Sequence, residues 1–189
     1  MRFLLGVVAG VLLVALGAAG YVRLTGLDAT AAPGAVEVAV MGRLRQWAVP
    51  PGTAALVNPV EDTPDTLHTA AEHYADHCAQ CHGADGSGET AMGRGLSPRP
   101  PDLRQPATQE QSDGALFQVI EKGIRFTGMP AFTTGTAQGQ WASWALVRVI
   151  RRMPQWTAAD VDAVRAMEPR PPAEVRRELD EERFLAGGD

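Results

Sequence analysis

The chain has 189 residues, of which 45% are hydrophobic, 21% charged and 6% aromatic, and its formal net charge is −5. This length allows one compact domain plus extensions. So few aromatic residues predict a core that lacks large side chains unless a bulky apolar cofactor completes it. The sequence contains no basic run or basic stripe, which argues against binding of nucleic acid.

The first predicted element is an uncharged apolar segment from Phe3 to Val22. A helix that crosses the hydrocarbon core of a membrane needs about 20 residues, which this segment supplies. A cleaved signal peptide has a shorter apolar region of about 7–15 residues and a small-residue cleavage site, which Ala15, Gly17 and Ala19 could supply. The length of the run favours an uncleaved anchor over residues 1–24, with residues 3–22 in the lipid. On either interpretation the rest of the chain is exported.

Residues 25–57 are predicted to form a linker that contains a short amphipathic helix. Pro50 and Pro51 end the helical pattern. Such a helix fits either the membrane surface or a packing position on the main domain. Its apolar stripe has helical spacing and consists of Val36, Val40, Leu44 and Trp47.

The main domain is predicted over residues 58–155 and is all-α, because no stretch alternates as a strand does. Thr63 followed by Pro64 predicts the start of a helix that continues into the cysteine segment. A second helix is predicted between Ser112, as its cap, and Gly123, as its end. The strongest helical pattern runs from Trp141 to Met153. Loops are predicted over 83–95 and 123–132, the second followed by a polar stretch over 133–140, and the prolines of 97–103 predict an extended segment there.

Residues 156–189 are predicted to form a helical, charge-rich extension. Thr157 and Asp160 have the spacing of a capping box, which predicts a short helix there. From Pro172 the chain is dense in charge and predicts an exposed helix or a partly ordered tail.

The two cysteines of the chain, Cys78 and Cys81, lie three residues apart, and His82 follows at once. A zinc site needs four ligands, and no second cysteine pair or downstream histidine cluster completes one. A thioredoxin-type dithiol would lie beside a βαβ unit, which the pattern lacks. A disulfide would close a very short loop and constrain the unfolded chain little.

The spacing C-x-x-C-H is the attachment motif of c-type haem. Each thiol would form a thioether with one vinyl group of the porphyrin, and the imidazole of His82 would be an axial ligand of the iron. A covalently held cofactor cannot diffuse away outside the cytoplasm, which agrees with the export signal. We therefore predict one haem c with its iron, bound through Cys78, Cys81 and His82.

The second axial ligand is predicted to be Met129. The upstream histidines belong to the helix that enters the motif and cannot easily fold back over the distal face of the haem; they are His68, His73 and His77. Met153 lies at the end of a helix, and Met92 is only ten residues past His82. Met129 lies in a loop punctuated by glycine and proline, 47 residues after His82, which is long enough to reach around the edge of a haem.

These features resemble a class I cytochrome c of the single-haem, membrane-anchored bacterial type. The resemblance covers about residues 58–155 and depends on the segments HYADHCAQCHG, MGRGLSPRPPDL, GIRFTGMPAF and WASWALVRVI. It implies the class I cytochrome c fold, with helices and loops around one covalent haem. It also implies that a backbone carbonyl of Pro100 or Pro101 accepts a hydrogen bond from His82, and that Tyr74 and Trp144 pack where two helices cross. Three arginines are candidates for haem propionates: Arg94, Arg99 and Arg125.

The function predicted from the sequence is that of a one-electron carrier rather than an enzyme. Its haem domain would lie on the periplasmic side of the cytoplasmic membrane, on a single membrane-spanning helix. The expected partners are membrane or periplasmic redox proteins, with no nucleic acid and no small-molecule substrate. Two alternatives are a haem subunit of a larger membrane oxidoreductase, with the extension from Pro172 as its docking element, and a sensor or ligand-binding domain with a labile distal site.

Overall fold

The computed structural model describes residues 2–26, 28–31, 33–170 and 172–187, with the backbone alone at 45, 46 and 172. Two residues of the predicted linker, 27 and 32, lie outside these ranges. Every regular element in the described ranges is helical, so the all-α prediction is confirmed. The α-helices are α1 (Arg2–Thr25), α2 (Ala35–Trp47), α3 (Pro51–Ala54), α4 (Pro64–His77), α5 (Ala79–His82), α6 (Pro106–Gln109), α7 (Asp113–Lys122), α8 (Ala137–Arg152), α9 (Ala158–Met167) and α10 (Pro172–Leu185). Short 3₁₀ turns cover Gly93–Gly95 and Met153–Gln155.

The core lies where α4 crosses α8, with α7 and α9 packed against this pair. Trp144 of α8 stacks on Phe117 of α7 with ring centroids 4.1 Å apart, and Tyr74 of α4 meets Trp156 edge to face. Before α4, the segment 58–60 is fixed to α8, because Asn58 Nδ2 donates to the Trp144 carbonyl at 2.9 Å. This arrangement of helices agrees with the class I cytochrome c fold that the resemblance implies.

Side-chain caps explain where the helices begin. The hydroxyls of Thr63 and Ser112 accept the backbone N–H groups of Thr66 and Ala115, and Thr157 forms a full capping box with Asp160. Each of these caps was predicted from the sequence. Gly123 ends α7 as predicted, with a φ of 64° that favours glycine.

Three elements differ from the sequence prediction. α8 begins at Ala137 and not at Trp141, because Thr136 caps it by accepting the N–H of Gly139 at 3.1 Å. The helix that enters the cysteine segment is interrupted at Cys78 and continues as α5. The short helices α3 and α6 were not predicted; each is one turn that starts at a proline, which is favourable at the first helical position.

α1 and α2 do not pack against the rest of the structure that is described. All residues of α1 are exposed, and α1 is long and apolar enough to cross a membrane by length and composition. In α2 the four residues of the predicted stripe are 50–83% exposed. Within the described residues α2 therefore makes no extensive contact with the main domain. α10 is likewise exposed along most of its length, as predicted.

A buried carboxylate lies between α7 and α8 and provides a test of the core. Glu121 is 3% exposed, and Ser143 Oγ donates to its Oε1 at 2.7 Å. Replacing Ser143 with alanine is expected to lower the free energy of unfolding by about 1–3 kcal/mol, because the buried carboxylate loses its donor. Urea unfolding of the two proteins measures the difference. Thr69→Ala, which removes an exposed hydroxyl from α4, is the control, and an equal effect of both changes would contradict the assignment.

Candidate cofactor site

The cysteine segment lies where α4 gives way to α5. The backbone turns at Cys78, but hydrogen bonding continues across it: Cys78 N–H donates to the Tyr74 carbonyl at 2.8 Å, and His82 N–H to the Cys78 carbonyl at 2.9 Å. Gly83, with a φ of 79°, ends α5 immediately after the histidine. The Tyr74 hydroxyl donates to the Gly83 carbonyl at 2.8 Å and fixes this turn against α4. The two thiols and the imidazole are thus presented from one short helical segment.

These residues line a cavity of about 410 Å³, a volume typical of ligand sites. Cys78, Cys81, His82 and Met129 all contribute to its wall, although Met129 is 47 residues beyond the histidine. The rest of the wall is mostly apolar and comes from four parts of the fold: Leu103, Leu116, Ile120, Phe132, Leu146 and Ile150. The structure therefore brings all four predicted site residues to one cavity.

The imidazole of His82 carries the one buried side-chain polar atom in the described residues that has no hydrogen-bond partner, Nδ1. Burial lowers the pKa of His82, and the Pro101 carbonyl beside the ring opposes this in part by accepting from it. Burial therefore favours the neutral imidazole, which is the form that binds iron. Of the two carbonyls suggested by the sequence, that of Pro101 faces the ring; that of Pro100 lies against Gly88, where a Cβ would be 2.5 Å from it.

Met129 is held in a compact loop. Its backbone N–H donates to Thr127 Oγ1 at 3.1 Å, and this hydroxyl donates to the Ile124 carbonyl at 2.8 Å. Ile124 N–H in turn donates to the Met129 carbonyl at 3.1 Å. Three residues after Met129, the Phe132 N–H donates a hydrogen bond to the Ile120 carbonyl of α7 at 3.0 Å. The methionine is therefore fixed by backbone bonds to its own loop and to α7.

The other candidate ligands fall into two groups. Met153 is 1% exposed and packs in the core, where its sulfur would be 2.7 Å from a Cβ at Gly86. Met92 lines the cavity but is 53% exposed. His77 lines the cavity at its rim, whereas His68 and His73 do not line it. Met92 and Met129 are thus the two methionines at the cavity.

The thiols are not arranged for redox or zinc chemistry. Burial, and to a smaller extent the neighbouring Cys81, raises the pKa of Cys78 to about 12, and burial also raises the pKa of Cys81. An active dithiol needs a lowered thiol pKa, so the opposite direction argues against a thioredoxin-like role. Within the described residues no cluster of three or more histidine, cysteine, aspartate or glutamate side chains could hold a metal ion.

Two residues at the cavity were not found from the sequence. Thr127 fixes the Met129 loop, and Leu96 packs so closely on Gly128 that a Cβ there would be 2.7 Å from Leu96 Cδ2. Leu96 follows the loop glycines Gly93 and Gly95, and this pattern gave no sign of the contact. Of the three arginines suggested for propionates, Arg99 lines the cavity, whereas Arg94 and Arg125 are exposed and do not.

The loop behind His82 is stabilised by an ion pair that predicts a pH dependence. Arg104 Nε and backbone N–H both bond to Asp102, and this lowers the pKa of that carboxyl to about 2 from its usual 3.8. A lowered pKa means that the carboxylate contributes stability above about pH 4 and loses it as the pH falls towards 2. In Asp102→Asn, the free energy of unfolding should fall by about 1 kcal/mol less on acidification than in the unchanged protein, because asparagine has no charge to lose. The figure is modest because the ion pair is partly exposed to solvent.

Urea unfolding at pH 5 and pH 3 measures this effect as the change in stability between the two values. Asp162→Asn is the matched control, because its carboxylate pairs with Arg165 but is 71% exposed. The assignment fails if Asp102→Asn and the unchanged protein lose the same stability between the two pH values.

The residues present fit a covalently attached haem. The cavity is mostly apolar, two thiols and an imidazole whose burial favours the neutral form line it, and Nδ1 of that imidazole has no hydrogen-bond partner among the described residues. A thioether sulfur, the usual second ligand in cytochromes c, lines the same cavity.

A family model described as cytochrome C oxidase, cbb3-type, subunit III, matches residues 65–148. No curated protein matches the chain. The matched range begins in the first turn of α4, ends within α8, and includes both the cysteine segment and Met129. Residues 65–148 therefore form a c-type cytochrome domain, which transfers electrons through a haem c and its iron.

Proposed function

We propose that the chain is a one-electron carrier with a single haem attached through Cys78 and Cys81. His82 and Met129 would hold its iron from the two faces, and α1 is an uncleaved anchor that keeps the haem domain on the periplasmic side of the cytoplasmic membrane. The observation that supports this most is the convergence of these four residues on one apolar cavity. The chain carries out no substrate reaction of its own, and its partners are membrane or periplasmic redox proteins.

Bound in this cavity, the haem iron supplies the exchange of one electron between the ferric and ferrous states. His82 offers an imidazole whose burial favours the neutral form, and the Pro101 carbonyl beside it would orient the ring and increase its basicity by accepting its N–H. The Met129 thioether favours the ferrous state and so raises the reduction potential. The apolar wall excludes water, which keeps the change in solvation small when the charge changes.

The absorption spectrum of the purified ferric protein tests the proposed ligation. We expect a low-spin spectrum with a methionine–iron charge-transfer band, and little binding of carbon monoxide by the ferrous form. A high-spin ferric spectrum together with ready binding of carbon monoxide would favour the alternative of a sensor or ligand-binding domain.

A second candidate function is a haem subunit of a larger membrane oxidoreductase, because the matching family model is described as a subunit of an oxidase. Native gel electrophoresis of mildly solubilised membranes separates the two proposals. A subunit would migrate with a larger complex stained for haem, whereas a free carrier would migrate at the mass of the chain alone. The exposed helix α10, which begins at the predicted docking element at Pro172, is the segment to delete: its loss should release the chain from such a complex.

The hydrogen bonds of Thr127 predict how readily an added ligand displaces Met129. Thr127→Val keeps the shape of the side chain but removes the hydroxyl that bonds to Met129 and Ile124, at a cost of about 1 kcal/mol. The loop should open more often, so imidazole added to the ferric protein should displace the methionine with about fivefold higher apparent affinity. Titration of the charge-transfer band measures this. Thr127→Ser should behave like the original protein, and equal affinities for Val and Ser would contradict the role of the hydroxyl.

A further inference from the structure

The helix α2 exposes apolar side chains that a stable water-soluble surface would not carry together. Val36, Val38, Val40, Met41, Leu44 and Trp47 are each between 50 and 83% exposed. No described element packs on this helix to any extent. An exposed apolar surface of this kind marks an interaction site.

The stripe on one side of α2 has the composition of an interfacial helix. By helical spacing Val36, Val40, Leu44 and Trp47 share one side, while Val38 projects from a different side. The tryptophan stands at the end of the helix, and tryptophan is enriched at the boundary between membrane and water. By the same spacing Arg43 borders the stripe on one side and Glu37 on the other, so charged side chains flank the apolar stripe, and the arginine favours anionic lipid headgroups.

Covalent and tertiary contacts keep α2 close to the membrane surface. Nine residues separate the end of α1 from the start of α2. Between them Thr30 accepts a hydrogen bond from Arg99 Nη2 at 3.3 Å, so the haem domain touches the chain only five residues after α1 ends. Five extended residues span at most about 18 Å. At the other end α3 lies on α7, where the Thr53 carbonyl is in close contact with Gly114. Thus both flanks of α2 are tied to a domain that cannot move far from the bilayer.

We propose that α2 lies in the interface of the lipid bilayer, with the stripe of Val36, Val40, Leu44 and Trp47 towards the acyl chains. This rests on the proposed membrane anchoring by α1. The lipid surface is the occupant favoured by the short connection to α1 and by the tryptophan and arginine at the stripe. Because Arg99 lies at both the cavity rim and the linker contact, the helix also holds this part of the rim towards the membrane.

The test uses the full-length haem-loaded protein in vesicles of mixed neutral and anionic phospholipids. Single cysteines are introduced at position 40 on the stripe, at 38 on another side of α2, at 11 inside α1 and at 179 in α10. A water-soluble maleimide of high mass is added, and mass shifts on gels give the rate at each site. We expect the Val40→Cys site to react about tenfold more slowly than the Val38→Cys site, since an apolar side chain prefers lipid to water by at least this factor.

The outcomes separate this proposal from the anchoring on which it rests. Slow reaction at 11 with fast, equal reaction at 38, 40 and 179 would overturn the proposal for α2 alone. Fast reaction of the cysteine at position 11 in α1, in addition to those at 38, 40 and 179, would overturn both the membrane anchoring and this proposal. Slow reaction at 40 that becomes fast when the protein is diluted with excess lipid would show that a second copy covers the stripe, which also overturns the proposal.

A second pair of variants tests the stripe by charge. Leu44→Asp should raise the rate at position 40 about tenfold towards that at position 179, because a carboxylate does not remain among acyl chains. Gly42→Asp adds the same charge to another side of the helix and should leave the rate at 40 nearly unchanged. Equal effects of the two substitutions would contradict the orientation proposed for α2.

Discussion

Replacing Met129 with alanine is expected to abolish the methionine–iron charge-transfer band and to lower the reduction potential by on the order of 100 mV or more. Met129 lines the cavity with His82, and its loop is closed by hydrogen bonds through Thr127 and Ile124. Alanine offers no ligand atom, so the ferric protein should become high-spin or bind water. The ferrous protein should then bind carbon monoxide readily. Absorption spectra and a redox titration measure these changes.

Met92→Ala is the matched control for this experiment. Both methionines line the cavity, but Met92 is 53% exposed and belongs to the loop only ten residues after His82. Its replacement should leave the charge-transfer band in place and shift the potential little. If instead Met92→Ala removes the band and Met129→Ala keeps it, the two methionines exchange roles and the proposed ligand pair is wrong.

Met153 shows why the choice between methionines needed more than the sequence. Sequence spacing placed it at the end of a helix, and it lies in a 3₁₀ turn with its side chain among the fully buried residues. That burial depends on Gly86, which is 67 residues away along the chain and leaves room for the methionine sulfur. Contacts of this kind have no local signal, so sequence analysis could exclude Met153 only by its position and not by its packing.

The local features of the fold were predictable because each arises from neighbouring residues. Thr63, Ser112 and Thr157 cap helices through hydroxyls that bond two or three residues ahead, and Gly123 ends α7 with a positive φ. The same chemistry at Thr136 was hidden by a polar, glycine-containing stretch that resembles a loop. The start of α8 was therefore placed one turn too late.

The residues that would bind the haem could be predicted from the sequence, but the residues that hold them in position could not. The motif from Cys78 to His82 and the loop at Met129 carry their chemistry in adjacent residues. Thr127, the carbonyl of Pro101 and the contact of Leu96 with Gly128 act through geometry that appears only after folding. Which of two adjacent prolines faces His82 is a question of backbone direction, and the residue types alone do not answer it.

The second large effect is expected from the two cysteines. A double variant, Cys78→Ser with Cys81→Ser, should lose all covalent haem, because serine does not form the thioether. Each single variant should keep one bond and retain haem at reduced yield. Mass spectrometry of the denatured chain measures this directly: the original protein should carry the mass of one haem, the single variants a mixture, and the double variant none. Haem mass on the denatured double variant would contradict attachment through these residues.

The two single variants are further expected to differ from each other. Cys78 is the more deeply enclosed thiol, and burial raises its pKa to about 12, whereas Cys81 is more accessible. A serine at position 78 puts a hydroxyl against the apolar wall of the cavity and the buried Tyr74, so Cys78→Ser should also lower the folding yield of the chain. Cys81→Ser should affect attachment alone. Cys78→Ala separates the two effects, since alanine removes the thioether without burying a hydroxyl. If Cys78→Ala and Cys78→Ser give the same folded yield, the difference between the two positions comes from attachment and not from packing.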